Sequence, residues 1–510
     1  MSYASRRDAL IALSLANLCY LRVWTELLTY RRVDTYLMKL PPGPSAMFAA
    51  MANVLLLAGV LWGAATLARR SGSKRIRTLA EWGFLLFLIV PLNALRAVLS
   101  RISDLFKSTL FEVLGIRGVL IAGVSLVLAG AIGILFFHRR MAAAAAAVLA
   151  MLSPFCAVTF GQAIWKSVQY DAAGFAARPA AALLPGSPER RVVWIVADEW
   201  DYRLTFVDRD PSLGLPEIDA LRGQTFFADR ALPPGPETPI SIPAYFTGRP
   251  VKGVLYDGPS ELQVEFSGTD KLVPWSKEPN VFTRAHDLGF NTAAVEWFHP
   301  TCRVLSGLTS CEWWQIALQA NTMGHSFGEL VPNQARSLFE TSLLSVFGQS
   351  LSVESHIATY RAIFRSGAQA ANDPRYGLTF IHLPIPHAPH GYDRRSGQFR
   401  LRNSPIRGYV DSLALLDAAV GELRREMTRA GTWDGTTVLI TSDHPYREAE
   451  VLDGKSDPRI PWILKMAHQR EGVVYSRSFN AVVTQDLLLG VLRGDLVTAS
   501  DVGRWLDCHN

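Results

Sequence analysis

Val192-Val193-Trp194-Ile195-Val196-Ala197-Asp198-Glu199 is the stretch that decides the fold. Six apolar residues in unbroken succession are followed by two acids. A run this short and this apolar predicts a strand buried on both faces. Residues 292–297, 378–383 and 437–441 have the same character, while stretches near 354–366, 407–430 and 479–493 carry helical spacing. Such alternation predicts a mainly parallel sheet with helices on both faces, an α/β domain over residues 191–510. Sheets of this kind form their sites at the carboxyl ends of the strands.

Three predicted strand ends carry the chemistry. The first ends in Asp198-Glu199, another in Ser442-Asp443-His444, and a third leads into Pro386-His387 and then His390. One acid after a strand means little, because turns favour Asp. Convergence of acids and histidines on one sheet edge means more: carboxylates with imidazoles bind one divalent cation. Zinc comes first, with Mn²⁺, Mg²⁺ or Ca²⁺ as alternatives. Buried acids gathered without a function would be costly.

A nucleophile is sought nearby. Gly235-Pro236-Glu237-Thr238-Pro239-Ile240-Ser241-Ile242-Pro243 follows the first strand and opens a helix. A hydroxyl there lies at the positive end of the helix dipole, where an anionic substrate also binds. A cation on the same oxygen would activate it. Taken alone, Thr238 or Ser241 reads better as a helix N-cap.

Residues 1–165 have a different composition, which the overall values of 49% hydrophobic and 19% charged residues conceal. Five segments, roughly 9–29, 45–68, 79–99, 118–137 and 142–164, reach the ~20 residues a transmembrane helix needs. The first contains Arg22 and Glu26, one turn apart and able to pair. Basic clusters at Arg6-Arg7, at Arg69 to Arg77 and at the expected His138-Arg139-Arg140 turn fall on one side if the N-terminus is inside. The loop at 30–44, with Arg31, Arg32 and Lys39, obeys that rule imperfectly. Five spans then place the C-terminal domain outside, at the periplasmic face of a bacterial inner membrane. Residues 96–114 have the spacing of an amphipathic helix lying in the interface, or of a connector packed on the bundle. Residues 166–190, rich in Ala, Pro and Gly, form a linker.

The net charge of +6 sits largely beside apolar segments and forms no basic stripe interleaved with aromatics, which excludes nucleic acid as partner. Of the five cysteines, Cys302 and Cys311 are close enough in sequence for a local disulfide in an oxidising compartment, or are two free thiols. Nothing in the sequence speaks to oligomeric state.

The first-strand run to Glu199, then Thr238-Pro239-Ile240-Ser241-Ile242-Pro243, then His382-Leu383-Pro384-Ile385-Pro386-His387-Ala388-Pro389, then Thr441-Ser442-Asp443-His444 resemble the ordered motifs of the sulfatase/alkaline phosphatase superfamily. Five spans followed by such a domain resemble, in architecture only, the phosphoethanolamine transferases that modify lipid A and the lipoteichoic acid synthases. The resemblance implies that Thr238 is the nucleophile and a metal ligand, with Asp198, Asp443 and His444 as further ligands and Glu199 as a weaker one. It implies that His387 faces the transferred group. His390, Lys455 and Ser241 are weaker candidates for substrate contact.

The chain also departs from these relatives. A sulfatase carries Cys or Ser in a Cys/Ser-x-Pro-x-Arg motif that matures to formylglycine. Here Thr238 and Ile242 occupy those positions, which argues against sulfate-ester hydrolysis by that route. The transferases continue the Asp-His pair with Gly-Glu, where this chain has Pro445-Tyr446, and Lys455 stands near their later histidine. The cysteines that flank the nucleophile in lipid A-modifying enzymes are missing. The implied activity is metal-dependent transfer of a phospho-substituent from a membrane phospholipid donor to a cell-envelope glycan or lipid through a phosphothreonine. The alternatives are a membrane-anchored hydrolase of phosphate or sulfate esters, and a non-catalytic envelope-binding domain.

Overall fold

The computed structural model describes residues 3–102, 104–316, 324, 326–342, 350–401 and 405–509. They form two compact units. One comprises Met1–Tyr30, Leu40–Asp171 and Leu318–Gln349, the other Arg31–Lys39, Ala172–Ala317 and Ser350–Asn510. The units interleave in sequence, and the short segment Arg31–Lys39 belongs with the second.

The first unit is helical. It contains α1 (Tyr3–Cys19) and α2 (Leu21–Leu28); α3 (Arg32–Leu37) belongs to the other unit. Then follow α4 (Pro44–Arg70), α5 (Lys74–Phe87), α6 (Ile89–Ile102), α7 (Asp104–Leu152) and α8 (Pro154–Val168). Along α4 the small residues Ala46, Ala49, Ala50 and Ala58 are buried, while Leu55, Leu56, Val60 and Leu67 are exposed. A helix that stays apolar on its outer face suits lipid rather than water. Asn53 on the buried side is satisfied by donating to the Val331 carbonyl at 3.0 Å. Arg22 and Glu26 pair at 3.2 Å.

Among the described residues, three helical stretches are long and apolar enough to cross a bilayer: Pro44–Arg70, Lys74–Arg96 and Ile121–Val168. The pair Ala4–Cys19 and Leu21–Leu28, bent by 61°, makes a fourth if it is one span. The expected turn at His138-Arg139-Arg140 is helical instead. The reason is local: residues 134–153 contain neither Gly nor Pro, and Ala142–Ala147 is an unbroken run of the best helix former. The 48-residue stretch from Ile121 to Val168 corresponds to about 72 Å of helix, more than twice a ~30 Å hydrocarbon layer. The backbone of 96–102 and 104–114 is helical, but most side chains that would test its amphipathic reading lie outside the described residues.

The second unit is built on an eight-stranded sheet. Its strands are β1 (Arg191–Ala197), β2 (Phe226–Ala228), β3 (Asn291–Trp297), β4 (Ser310–Trp314), β5 (Tyr376–Leu383), β6 (Thr436–Ser442), β7 (Trp462–Lys465) and β8 (Val473–Tyr475). They lie in the order β8-β2-β7-β6-β1-β5-β3-β4, and every neighbouring pair is parallel except the two that involve β7. The four expected strands are β1, β3, β5 and β6, which lie side by side at the centre.

The unbroken apolar run of β1 has its cause in two-sided burial. Val192, Trp194 and Val196 pack into one core with Ile242, Tyr245 and Phe246 of α10 (Thr238–Thr247). Val193, Ile195 and Ala197 pack into the opposite core with Ile218 and Leu221 of α9 (Pro216–Gln224) and with Leu413 and Leu416 of the helix Pro405–Arg429. Register then sets the site. Ala197 pairs with both Ser442 and Leu383, so β1, β6 and β5 end level with one another. Asp198, Asp443 and the chain leading to His387 therefore leave the sheet at one edge.

Candidate active site

Asp443 organises the site. Its Oδ1 accepts the backbone N–H groups of His444 at 2.9 Å and Glu199 at 3.2 Å. Its Oδ2 accepts the Thr238 hydroxyl at 2.8 Å. The Ser442 hydroxyl bridges strand ends by donating toward the carbonyls of Ala197 and His444, and it accepts from the Trp200 N–H. These bonds hold the ends of β1 and β6 together.

Thr238 occupies the first turn of α10, whose N-cap is Glu237. The Thr238 side chain does not cap the helix: its Oγ1 lies 2.8 Å from Asp443, 3.3 Å from Asp198 Oδ2 and 3.3 Å from His444 Nε2. Close chain approach fixes the helix start, because a Cβ at Gly235 would meet Ile240 at 2.6 Å. The helix is pinned to β6 by Tyr245, whose hydroxyl donates to the Ser442 carbonyl at 2.8 Å. Ser241, one turn on, is fully buried, and its hydroxyl finds no partner among the described residues.

A divalent cation fits this donor set. Ligand atoms of Asp198, His382 and Asp443, all buried, lie within 4.8 Å of one another. The His444 Nδ1–H donates to the Pro445 carbonyl at 3.0 Å, so in the neutral ring the Nε2 lone pair faces Asp443 and Thr238. The His382 Nδ1–H donates to the Trp297 carbonyl at 2.9 Å beside Glu296 at 3.1 Å, so in the neutral ring its Nε2 lone pair faces Asp198 at 3.7 Å. His382 Nε2 and Asp198 Oδ1 are buried without a hydrogen-bond partner among the described residues. Lone pairs and carboxylates converging on one point repel unless a positive charge lies between them.

The electrostatics agree. Burial, together with Asp443 and Glu199, pushes the Asp198 carboxyl well above its usual range. Burial also works to raise Asp443, but His444, His382 and the Thr238 hydroxyl outweigh it and hold that carboxyl low. Burial pulls the His382 imidazole down, and the Glu296 carboxylate more than compensates.

Glu199 takes a different position. Its backbone is left-handed, with φ 63°, a conformation that is rare for a residue with a side chain and that persists only where its surroundings enforce it. Here its N–H is held by Asp443 and its carbonyl by the Tyr409 hydroxyl at 2.6 Å. The turn directs its carboxylate to Arg447, at 2.8 Å, rather than into the cluster. Tyr446, where the transferases carry Glu, stacks on Tyr409 at 3.9 Å between ring centroids. The Pro445-Tyr446 departure thus braces the backbone under Glu199.

Beyond the cluster lie the other histidines. The His387 Nδ1–H donates to the Ala388 carbonyl at 2.5 Å, and burial lowers its basicity although Glu199 opposes this. His390 contacts the Ser412 hydroxyl at 3.2 Å, and burial, reinforced by His387, brings it to about 4. Lys455 is placed apart: it is largely exposed and pairs with Asp208 at 3.1 Å, and the buried Arg203 joins Asp208 to Asp453. Cys302 and Cys311 form a disulfide.

Five neighbours of this site escape a reading by sequence. His382 and Glu296 lie inside strands, where such residues read as core. Arg447 follows a departure from the family pattern. His299, which burial brings to about 3, approaches the Thr238 carbonyl at 3.4 Å, and Tyr36 reaches His299 from another part of the chain. The available signal was the order of the motif His382 to Pro389, which holds two histidines rather than one.

Solved structures resemble this fold at low sequence identity. The lipoteichoic acid synthase LtaP from Listeria monocytogenes is 10% identical over 62% of this chain and 75% of that one, with a TM-score of 0.38. The phosphonate monoester hydrolase of Agrobacterium radiobacter is 14% identical over 59% and 73%, with a TM-score of 0.38. The PsFucS1 sulfatase from Pseudoalteromonas sp. is 15% identical over 61% and 69%, with a TM-score of 0.39. At these scores none of the three carries an argument about activity. No curated protein matches in sequence. The sulfatase family profile matches residues 190–476, which is more than half of the chain and spans every strand end described above. The chain therefore belongs to the sulfatase family.

Proposed function

We propose that this enzyme moves a phospho-substituent, phosphoethanolamine- or phosphoglycerol-like, from a membrane phospholipid to a cell-envelope glycan or lipid through a phosphothreonine on Thr238. The observation that carries the reading is the Thr238 hydroxyl. It is buried at the start of α10, donates to Asp443 at 2.8 Å, and stands among Asp198 and His444. A threonine cannot become formylglycine, and Ile242 replaces the arginine of the sulfatase motif, so phosphorus is favoured over sulfur.

Asp198, Asp443, His444, His382 and the Thr238 oxygen would hold the divalent cation. Zinc is assigned first because two imidazole nitrogens are offered. When bound, the cation would supply positive charge for the Thr238 oxygen and the phosphate oxygens. Thr238 Oγ1 attacks phosphorus in line. The bond from phosphorus to the lipid alcohol oxygen breaks, and that oxygen takes up a proton equivalent to the one Thr238 gives up. An acceptor hydroxyl then attacks the phosphothreonine, the bond from phosphorus to Oγ1 breaks, and Thr238 regains its proton. His387 suits the proton transfers, because donating from Nδ1 leaves the Nε2 lone pair available. Helices able to cross a bilayer support a lipid donor, and we place the α/β domain at the periplasmic face of a bacterial inner membrane.

The test uses purified full-length protein with headgroup-labelled phosphatidylethanolamine or phosphatidylglycerol. The expected result is a covalent adduct on Thr238 and labelled glycan or lipid acceptor, both lost in Thr238→Ala. Free headgroup alone would replace the transferase with a hydrolase. Neither adduct nor stoichiometric metal would indicate a non-catalytic envelope-binding protein.

A further inference from the structure

Arg31–Lys39 joins α2 to α4 in sequence yet packs inside the α/β unit. Tyr36 of this segment is fully buried, its ring 5.3 Å from that of Tyr256 and 5.8 Å from His299. Its hydroxyl lies 2.9 Å from His299 Nδ1, and His299 Nε2 lies 3.4 Å from the carbonyl oxygen of Thr238. A carbonyl can only accept, so His299 Nε2 carries the hydrogen and Nδ1 the lone pair. Tyr36 must then be the donor. A directed chain runs from the Tyr36 O–H through the imidazole to the backbone of Thr238.

The segment is clasped as well as inserted. Arg303, 2% exposed, donates to the carbonyls of Tyr36 at 2.6 Å, Met38 at 2.9 Å and Lys39 at 3.3 Å. Its Nε donates to the Pro259 carbonyl at 2.9 Å. The Lys39 N–H donates to Gln315 at 2.9 Å, and the Cys302–Cys311 disulfide closes the loop that carries Arg303. A segment needed only to fill the core would be served by phenylalanine. A buried hydroxyl and a buried imidazole are costly unless bonded, and their bonds end at Thr238.

We propose that Tyr36 is a positioning residue: through His299 it sets the first turn of α10, so the site is completed by a strap drawn from between two helices of the other unit. The proposal rests on Thr238 being the nucleophile. An oxygen misplaced by a fraction of an ångström is poorly aligned for in-line attack, and such errors lower turnover more than binding.

The experiment uses the full-length protein in mixed micelles with headgroup-labelled phosphatidylethanolamine and phosphatidylglycerol. It compares Tyr36→Phe, which removes one oxygen and keeps the ring, with His299→Gln and His299→Leu. Glutamine can donate to the Thr238 carbonyl and accept from Tyr36; leucine can do neither. Expected for Tyr36→Phe is a fall in kcat of about tenfold with KM within about twofold and a melting temperature near wild type. His299→Gln should keep more of kcat than His299→Leu, and Tyr36→Phe should add little to His299→Leu. Wild-type kcat in Tyr36→Phe overturns the proposal, as does a loss that follows melting temperature alone. Thr238→Ala is the separate control: activity and adduct persisting there would remove the nucleophile assignment, whatever Tyr36→Phe does.

Discussion

Thr238 Oγ1 donates to Asp443 Oδ2 at 2.8 Å, although 205 residues separate the two in sequence. The contact joins the start of α10 to the end of β6 and places a hydroxyl where acids and imidazoles converge. Thr238→Ala is expected to lower turnover by on the order of 10³-fold or more, since nucleophile removals have effects at least this large. Thr238→Ser keeps the oxygen and should retain measurable activity. Intact-mass analysis after a short incubation with labelled phospholipid checks the assignment directly. An adduct of unchanged yield in the alanine variant would show that the nucleophile is another residue.

His382 connects Glu296 to the cluster. Its Nδ1 lies 3.1 Å from Glu296 and its Nε2 3.7 Å from Asp198. A carboxylate behind a ligating imidazole fixes the ring and raises its donor strength. Glu296→Gln should therefore weaken zinc binding by about 10- to 100-fold, and His382→Ala by at least as much. Competition against a fluorescent chelator measures this. Both variants must also be melted without metal, because truncating His382 leaves Glu296 buried beside an empty space. Unchanged zinc affinity in both would make the pair a core element.

Asp198, Asp443 and His444 were legible as neighbours because they follow the level ends of β1 and β6, and strand ends can be read from short apolar runs. Thr238 meets them from the first turn of α10, which only the motif order suggested. His382 was not legible as a neighbour of the cluster, because inside a strand only the pairing of Val196 with His382 reveals which way the edge faces. Glu199 is turned aside by a left-handed backbone, and Lys455 by an ion pair with Asp208; neither has a sequence signature. Tyr36 lies 263 residues from His299, and no local pattern in 31–39 signals that it docks in the α/β unit. The helical continuation through His138–Arg140 follows from alanine propensity, which three basic residues did not outweigh.

Protons compete with the cation. Burial, with Asp443 and Glu199 beside it, raises the Asp198 carboxyl, so the metal-free site retains a proton that cation binding must displace. Affinity should therefore fall as pH is lowered, by about tenfold per unit for each proton released. The sign is fixed because the ligands must be deprotonated to bind. Zinc affinity measured at pH 8, 7 and 6 should decline in that order. A flat profile would mean that Asp198 is already ionised without metal.

Sidedness follows from the strap. Arg31–Lys39 packs within the same unit as Ala172–Ala317, so both lie on one side of any bilayer the helices cross. The chain from Leu40 to Asp171 must then cross an even number of times. Pro44–Arg70 and Lys74–Arg96 supply two crossings. The remaining stretch, Ile121–Val168, must cross twice or not at all. The helix runs on through 138–140, so two crossings would require it to bend there in the membrane, with its basic residues at the cytoplasmic face. The prediction is two crossings in this stretch and five in the full chain. Single cysteines introduced in a Cys508→Ser background test this, because Cys508 is itself exposed. A membrane-impermeant maleimide applied to spheroplasts should label Arg32→Cys and Ser187→Cys but not Ser73→Cys or Arg139→Cys. Labelling of Arg139→Cys from outside would leave the Ile121–Val168 stretch with no double crossing and reduce the count to three, with the α/β domain still on the side of Arg32.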